Sequence, residues 1–133
     1  MGSQEEFILI VGHTEASEFF MKELQRLNKP FVVLTNNKVE QKKMLKSGIA
    51  NIVRIDTSEH STWLVPEHHY QQVYVFEQSL PLCCRFIQIC RSWTNQPIYV
   101  ITKQLRPRLI YRGLGANYVI HSHSDDVTFL LAE

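Results

Sequence analysis

The chain has little of what would mark a membrane-spanning, secreted or nucleic-acid-binding protein. No apolar run approaches the roughly 20 residues that cross a bilayer. The start, Met1-Gly2-Ser3-Gln4-Glu5-Glu6, lacks the basic opening of a secretory leader. Lys and Arg number 14 against 13 Asp and Glu, a net charge of +1. That balance supplies no field to hold a phosphate backbone or an anionic membrane, so no nucleic-acid partner is expected. Cysteine is scarce: Cys83, Cys84 and Cys90 are odd in number and crowd onto one predicted helix. They form neither a disulfide framework nor a set with zinc spacing, and read as small apolar side chains in a reducing cytoplasm. Glycine is scarce too, with five in 133 residues.

What is present is a chain of one-domain length, 1–133, with 44% hydrophobic residues and enough of them to close a core. Short apolar runs alternate with helical patterns. Strands are expected at Phe7–Val11, Phe31–Leu34, Asn51–Ile55, Val73–Phe76, Ile98–Ile101 and Tyr118–Ile120. Between them lie helices over about 15–28, with Ala16, Phe20, Leu24 and Leu27 inward, and over Lys38–Lys46, stopped by Gly48. A third starts at Ser79 with Pro81 and runs to about Trp93, with Arg85, Gln88 and Arg91 as its wet stripe. A fourth covers Arg106 to Arg112 and ends at Gly113 or Gly115. A final one carries Asp125 and Asp126 in its first turn. Trp63, Leu64 and Val65 read as one buried turn in a polar segment. Buried strands alternating with helices predict an α/β fold, a doubly wound, Rossmann-like parallel sheet of six strands in the order 3-2-1-4-5-6. Its crevice would lie above the ends of strands 1 and 4.

The first strand-to-helix turn is Gly12-His13-Thr14-Glu15-Ala16-Ser17. A dinucleotide fingerprint has glycine at the first, third and sixth of these positions, for the tight turn, the pyrophosphate approach and helix–strand packing. Only Gly12 remains. Ser17 is small enough for close packing, but the Thr14 methyl would project where a phosphate rests. Glu15 suits the helix dipole and repels an anion. The acid expected after strand 2 is replaced by Asn36, which can bond a ribose hydroxyl only without charge assistance, while Lys38 beside it would favour a phosphate.

These stretches, together with Val32–Asn37 leading into Lys42–Gly48, Val53-Arg54-Ile55-Asp56-Thr57 and Gly113–Ile120, resemble the N-terminal lobe of RCK domains (TrkA-N, regulators of potassium conductance), in the form found in prokaryotic potassium channels. The resemblance runs from about Phe7 to Leu131. It implies a cytoplasmic regulatory domain, not an enzyme. Such lobes pair, often through the last strand–helix region, into homo-oligomeric dimers or rings that gate a membrane potassium channel or transporter. It places the domain at the inner face of the membrane through that partner. It implies a crevice ligand of the NAD(H) or adenine-nucleotide class, weakened by the altered loop. The ligand-facing positions would be Gly12, His13, Thr14, Glu15, Asn36, Asp56 and Thr57. Asp56 matches an aspartate that contacts an adenine or ribose edge in the family, and equally suits a loop cap.

Two other functions remain open on the residues: an NAD(P)-binding redox sensor or oxidoreductase domain, and a Rossmann scaffold that binds no nucleotide. In calcium-gated relatives carboxylates follow strands 4 and 5. The matching positions here are Phe76, Thr102 and Gln104, with Glu77 adjacent, and no calcium site is expected. Neither His68-His69, in a polar loop, nor His121-Ser122-His123 makes a metal set. No nucleophile elbow, P-loop or Ser-His-Asp set stands in motif context, so no catalytic residue is assigned. Glu18, Glu23 and Glu40 read as solvated. Arg85, Arg91, Arg106, Arg108 and Arg112 read mainly as solubilising.

Overall fold

A computed structural model describes residues 6–57, 69–104 and 108–131. Strands β1 (Glu6–Val11), β2 (Phe31–Thr35), β3 (Ile52–Arg54), β4 (His69–Phe76), β5 (Ile98–Thr102) and β6 (Tyr118–His121) form one sheet. Its order is β3-β2-β1-β4-β5-β6, and every neighbouring pair is parallel. The central strands are fully covered because helices lie on both faces, which is why their sequences are continuous apolar runs without alternation.

Helices α1 (Glu15–Arg26) and α2 (Lys38–Lys46) cover one face. Phe20, Met21, Leu24 and Met44 pack there on Ile8, Ile10, Val33, Tyr74 and Phe76. Helices α3 (Leu80–Trp93) and α4 (Arg108–Leu114) cover the other, where Cys83, Phe86, Ile87, Cys90 and Tyr111 meet Leu9, Val11, Val73 and Val100. The chain changes face after β4, so β1 and β4 are the strands at which the winding reverses. On the α1 face a row of rings crosses the sheet. Tyr74 stacks on Tyr99 at 4.8 Å and Tyr99 on Tyr118 at 4.9 Å, each pair in register across adjacent strands.

Helix ends follow local chemistry. α1 closes through the paired bonds Asn28 N–H to the Gln25 carbonyl and Lys29 N–H to the Leu24 carbonyl, with Asn28 left-handed at φ 56°. α2 closes in the same way at Gly48, φ +94°, as its sequence position predicts. Ser79 caps α3 and Pro81 sits in its first turn.

Several expectations need correction. The final helix is only a 3-10 turn, Thr128–Leu131. The Asp126 carboxylate takes the N–H and hydroxyl of Thr128, and Val127 and Leu131 anchor the turn in the α1-side core. The segment after Ser124 thus closes a core edge with one short turn and does not propagate a helix. Leu27 is the C-cap of α1, one position past its last helical residue, and is exposed. His69 opens β4 and is not in a loop. Arg91 is not a solvated residue: its guanidinium donates to the carbonyls of Gly115, Thr94 and Gln96 and to Asn117 Oδ1 at 2.6–3.0 Å. The turn expected around Trp63 and the histidine at 68 lie outside the described residues, as does Arg106.

Candidate functional site

The expected site residues all stand at the C-terminal edge of the sheet, but in two groups. Gly12, His13, Thr14 and Glu15 form the turn from β1 into α1. Asn36 follows β2, and Asp56 and Thr57 follow β3. A recess of about 300 Å³ opens above β4, β5 and β6, with Thr14, Glu15, Glu77, Thr102, Lys103 and Asp125 on its walls. A second of about 510 Å³ lies above β2 and β3, walled by Asn36, Lys38, Arg54, Asp56 and Thr57. His13 stands at neither, and turns toward the groove between α1 and α2.

Gly12 is dictated by geometry. Its φ is +90°, and a Cβ there would lie 2.3 Å from the Phe76 carbonyl oxygen at the end of β4. Thr14 does not obstruct the turn as a loose methyl. It is the N-cap of α1, in a reciprocal box with Ser17. Ser17 N–H donates to Thr14 Oγ1 at 3.1 Å, and Thr14 N–H donates to Ser17 Oγ at 2.8 Å. Thr14 and Ser17 thus occupy the second and third glycine positions as partners. Two N–H groups that an anion would otherwise use are spent on the helix cap.

Carboxylates surround this turn. Glu18 Oε1 lies 2.9 Å from His13 Nε2. Glu40, expected in solvent, turns inward from the first turn of α2. One oxygen accepts the Thr35 hydroxyl at 3.0 Å and the other the Gln78 amide at 3.3 Å, with His13 Nδ1 at 4.0 Å. Its solvent reading failed because Thr35, buried at the end of β2, offers a hydroxyl that a solvated carboxylate would not have. Gln78 was not singled out at all, and also donates to the His13 carbonyl at 3.2 Å. Its sequence position, two residues past β4 at the point where the winding reverses, was the available signal.

On the wall of the recess above β4, β5 and β6, Glu77 is held by two hydroxyls. Thr102 donates to Oε1 at 2.8 Å and Tyr111 donates to Oε2. Burial, followed by the Glu77 carboxylate it bonds, drives the Tyr111 phenol well above its ordinary range. Phe76 turns into the core, and the Thr102 hydroxyl is committed to Glu77. At the rim Lys103 Nζ meets Asp125 at 2.9 Å. That contact, followed by Glu15, holds the Asp125 carboxyl below its usual value. The rings of His121 and His123 meet edge-on at 4.7 Å, and His121 Nε2 lies 3.2 Å from the Lys103 carbonyl. Among the described residues no group of three or more His, Cys, Asp or Glu converges on a point a metal ion could occupy.

No protein-family model matches the sequence, and no curated protein matches it. Solved structures match by shape. A GsuK channel bound to NAD superposes with a TM-score of 0.75 at 20% identity, over 88% of this chain and 21% of that one. The TrkA-N domain of the inner membrane protein YbaL from Escherichia coli gives 0.71 at 13% identity, over 95% of this chain and 94% of that domain. The fold is the one seen in RCK and TrkA-N domains. The same fold also matches the NAD(P)-binding domain of an exopolyphosphatase-related protein from Archaeoglobus fulgidus, at 0.73 and 17% identity, over 87% of each chain. The chain spans only about a fifth of the GsuK channel chain it matches. No helix among the described residues is long and apolar enough to cross a membrane.

Proposed function

We propose that this chain is a regulatory lobe of the RCK type, cytoplasmic, acting on a membrane potassium channel or transporter by pairing with further copies of itself. The observation that carries the reading is a coincidence of two independent kinds. The motifs that resemble the RCK lobe run in one order along the sequence, and the chain takes a fold that superposes on solved RCK and TrkA-N domains. Ligand in the crevice, of the NAD(H) or adenine-nucleotide class, would bias the pairing. The proposed contacts are Gly12, Thr14 and Glu15 at the turn and Asn36, Asp56 and Thr57 at the second recess; His13, whose ring turns to the groove between α1 and α2, is not among them. No catalysis is proposed for the chain, because the RCK lobes it resembles regulate and do not catalyse.

A second reading has its own support, that of a scaffold which assembles without nucleotide. The Thr14–Ser17 box and the carboxylates of Glu15, Glu18 and Glu40 all oppose an anion at the turn. Sedimentation with and without NAD, NADH, ATP, ADP or AMP, paired with thermal shifts, separates the two. The regulatory reading expects an oligomer whose stability or assembly responds to at least one nucleotide. An oligomer indifferent to all of them supports the scaffold. A strict monomer at high concentration that responds to none overturns both.

A further inference from the structure

Strand order places β1 between β2 and β4, so a dinucleotide lying from the β2 end to the β4 end must cross above the end of β1. That line is already taken by a side chain. Gln78, from the loop after β4, lies over the turn. Its Oε1 is 3.6 Å from where a Cβ on Gly12 would sit, and its Nε2 donates to the His13 carbonyl at 3.2 Å. The same nitrogen reaches across to Glu40 Oε2 at 3.3 Å, on the helix that follows β2. Glu40 is itself fixed by Thr35, which also accepts the Asn37 N–H at 3.1 Å. The result is a strap from β4 over β1 to α2, made of the Gln78 and Glu40 side chains and anchored on the buried Thr35 at the end of β2.

We propose that Gln78 is a ligand-excluding residue: its amide, anchored on Glu40, occupies the path of the nucleotide, and an adenine nucleotide or dinucleotide enters only when the strap swings away. This rests on the regulatory reading and names how its crevice is gated. The altered glycines are then a secondary matter, since the box of Thr14 and Ser17 shapes the floor while Gln78 covers it. Two hydrogen bonds holding a mostly exposed side chain correspond to an open fraction on the order of a tenth. The apparent affinity is lowered to that fraction of its intrinsic value.

Calorimetric titration of NADH and of ADP into the wild type, Gln78→Ala, Glu40→Ala and Glu15→Gln tests the strap. Gln78→Ala is expected to bind about tenfold more tightly than the wild type, with an unchanged melting temperature because the side chain is exposed. Glu40→Ala, which frees the anchor, should gain too. Glu15→Gln, which removes a charge from the same recess without touching the strap, should gain clearly less. Equal affinity in the wild type and Gln78→Ala overturns the strap and leaves the regulatory reading standing. An equal gain from Glu15→Gln overturns it in favour of simple charge repulsion. Absence of binding in every variant also overturns it, and sedimentation then separates the scaffold, an oligomer, from a monomer that overturns both readings.

Discussion

Single residues hold the turn and the rim of this fold by contacts that can be cut one at a time. Gly12 joins a left-handed φ to a backbone oxygen that leaves no room for a Cβ. Gly12→Ala is therefore expected to destabilise by on the order of 2–3 kcal/mol in urea unfolding, where an ordinary Gly-to-Ala change in relaxed backbone would be neutral or favourable. Thr14→Ala should cost about 1 kcal/mol, because the Ser17 N–H loses its acceptor at the helix start, and Thr14→Gly only a few tenths. If Thr14→Ala proved silent, the capping box would not be what holds this turn. Arg91 is a different kind of contact. It satisfies three carbonyls and the Asn117 side chain that also accepts the Ile98 N–H. Lysine keeps the charge but cannot present the fork. Arg91→Lys should lose about 1–2 kcal/mol in the same measurement, and a loss near zero would return Arg91 to the solvated stripe.

At the scale of elements, the strands and the first three helices were legible because each combines a pattern with punctuation. The run from Phe7 to Val11 is apolar throughout, Gly48 marks the end of α2, and Ser79 with Pro81 marks the start of α3. The last element was not legible. Asp125 and Asp126 look like the first turn of a helix, but here a carboxylate turns back on Thr128 and leaves room for only one short turn. The candidate site was half legible. The positions of the turn and of Asn36 and Asp56 follow from strand ends, whereas Glu40 and Gln78 depend on which side chains meet across three separate loops. Asn37-x-x-Glu40 does carry the spacing of a capping box, yet Glu40 answers Thr35 and Gln78 instead of its own helix.

Helix α3 yields a prediction of its own. Burial lifts Cys83 to about 12 and Cys90 higher still, and on the sheet it lifts Tyr74 to about 12. In the unfolded chain these groups ionise near their ordinary values, 9.0 for the thiols and 10.0 for the phenol. The folded state thus holds more protons between those values and about 12. Stability is full below pH 9 and falls as pH rises through that window. Melting temperatures measured at pH 7.5 and pH 10 should show a clear drop at the higher value, and a rise would refute the assignment. A thiol reagent should reach the half-buried Cys84 first, and Cys83 and Cys90 only as the fold opens.

For the whole molecule the open question is what covers the far end of the sheet. Among the described residues β6 pairs only with β5, so its outer edge offers unpaired backbone groups. Tyr118 ends the stacked row of rings there and is 50% exposed. On α4, which packs against β6, Leu109 is 81% and Ile110 49% exposed. Apolar side chains left in water on the two faces beside a free sheet edge suit a second copy of the same chain, which would cover the edge and bury those on the face it meets. Leu109→Asp combined with Ile110→Asp should weaken self-association by at least about tenfold in sedimentation equilibrium, since two buried charges without partners oppose the interface. The melting temperature of the separated lobe should hardly change, because both side chains lie outside its core. A wild-type chain that sediments as a monomer at every concentration would show that this end of the sheet is left open, and regulation by pairing would have to be abandoned.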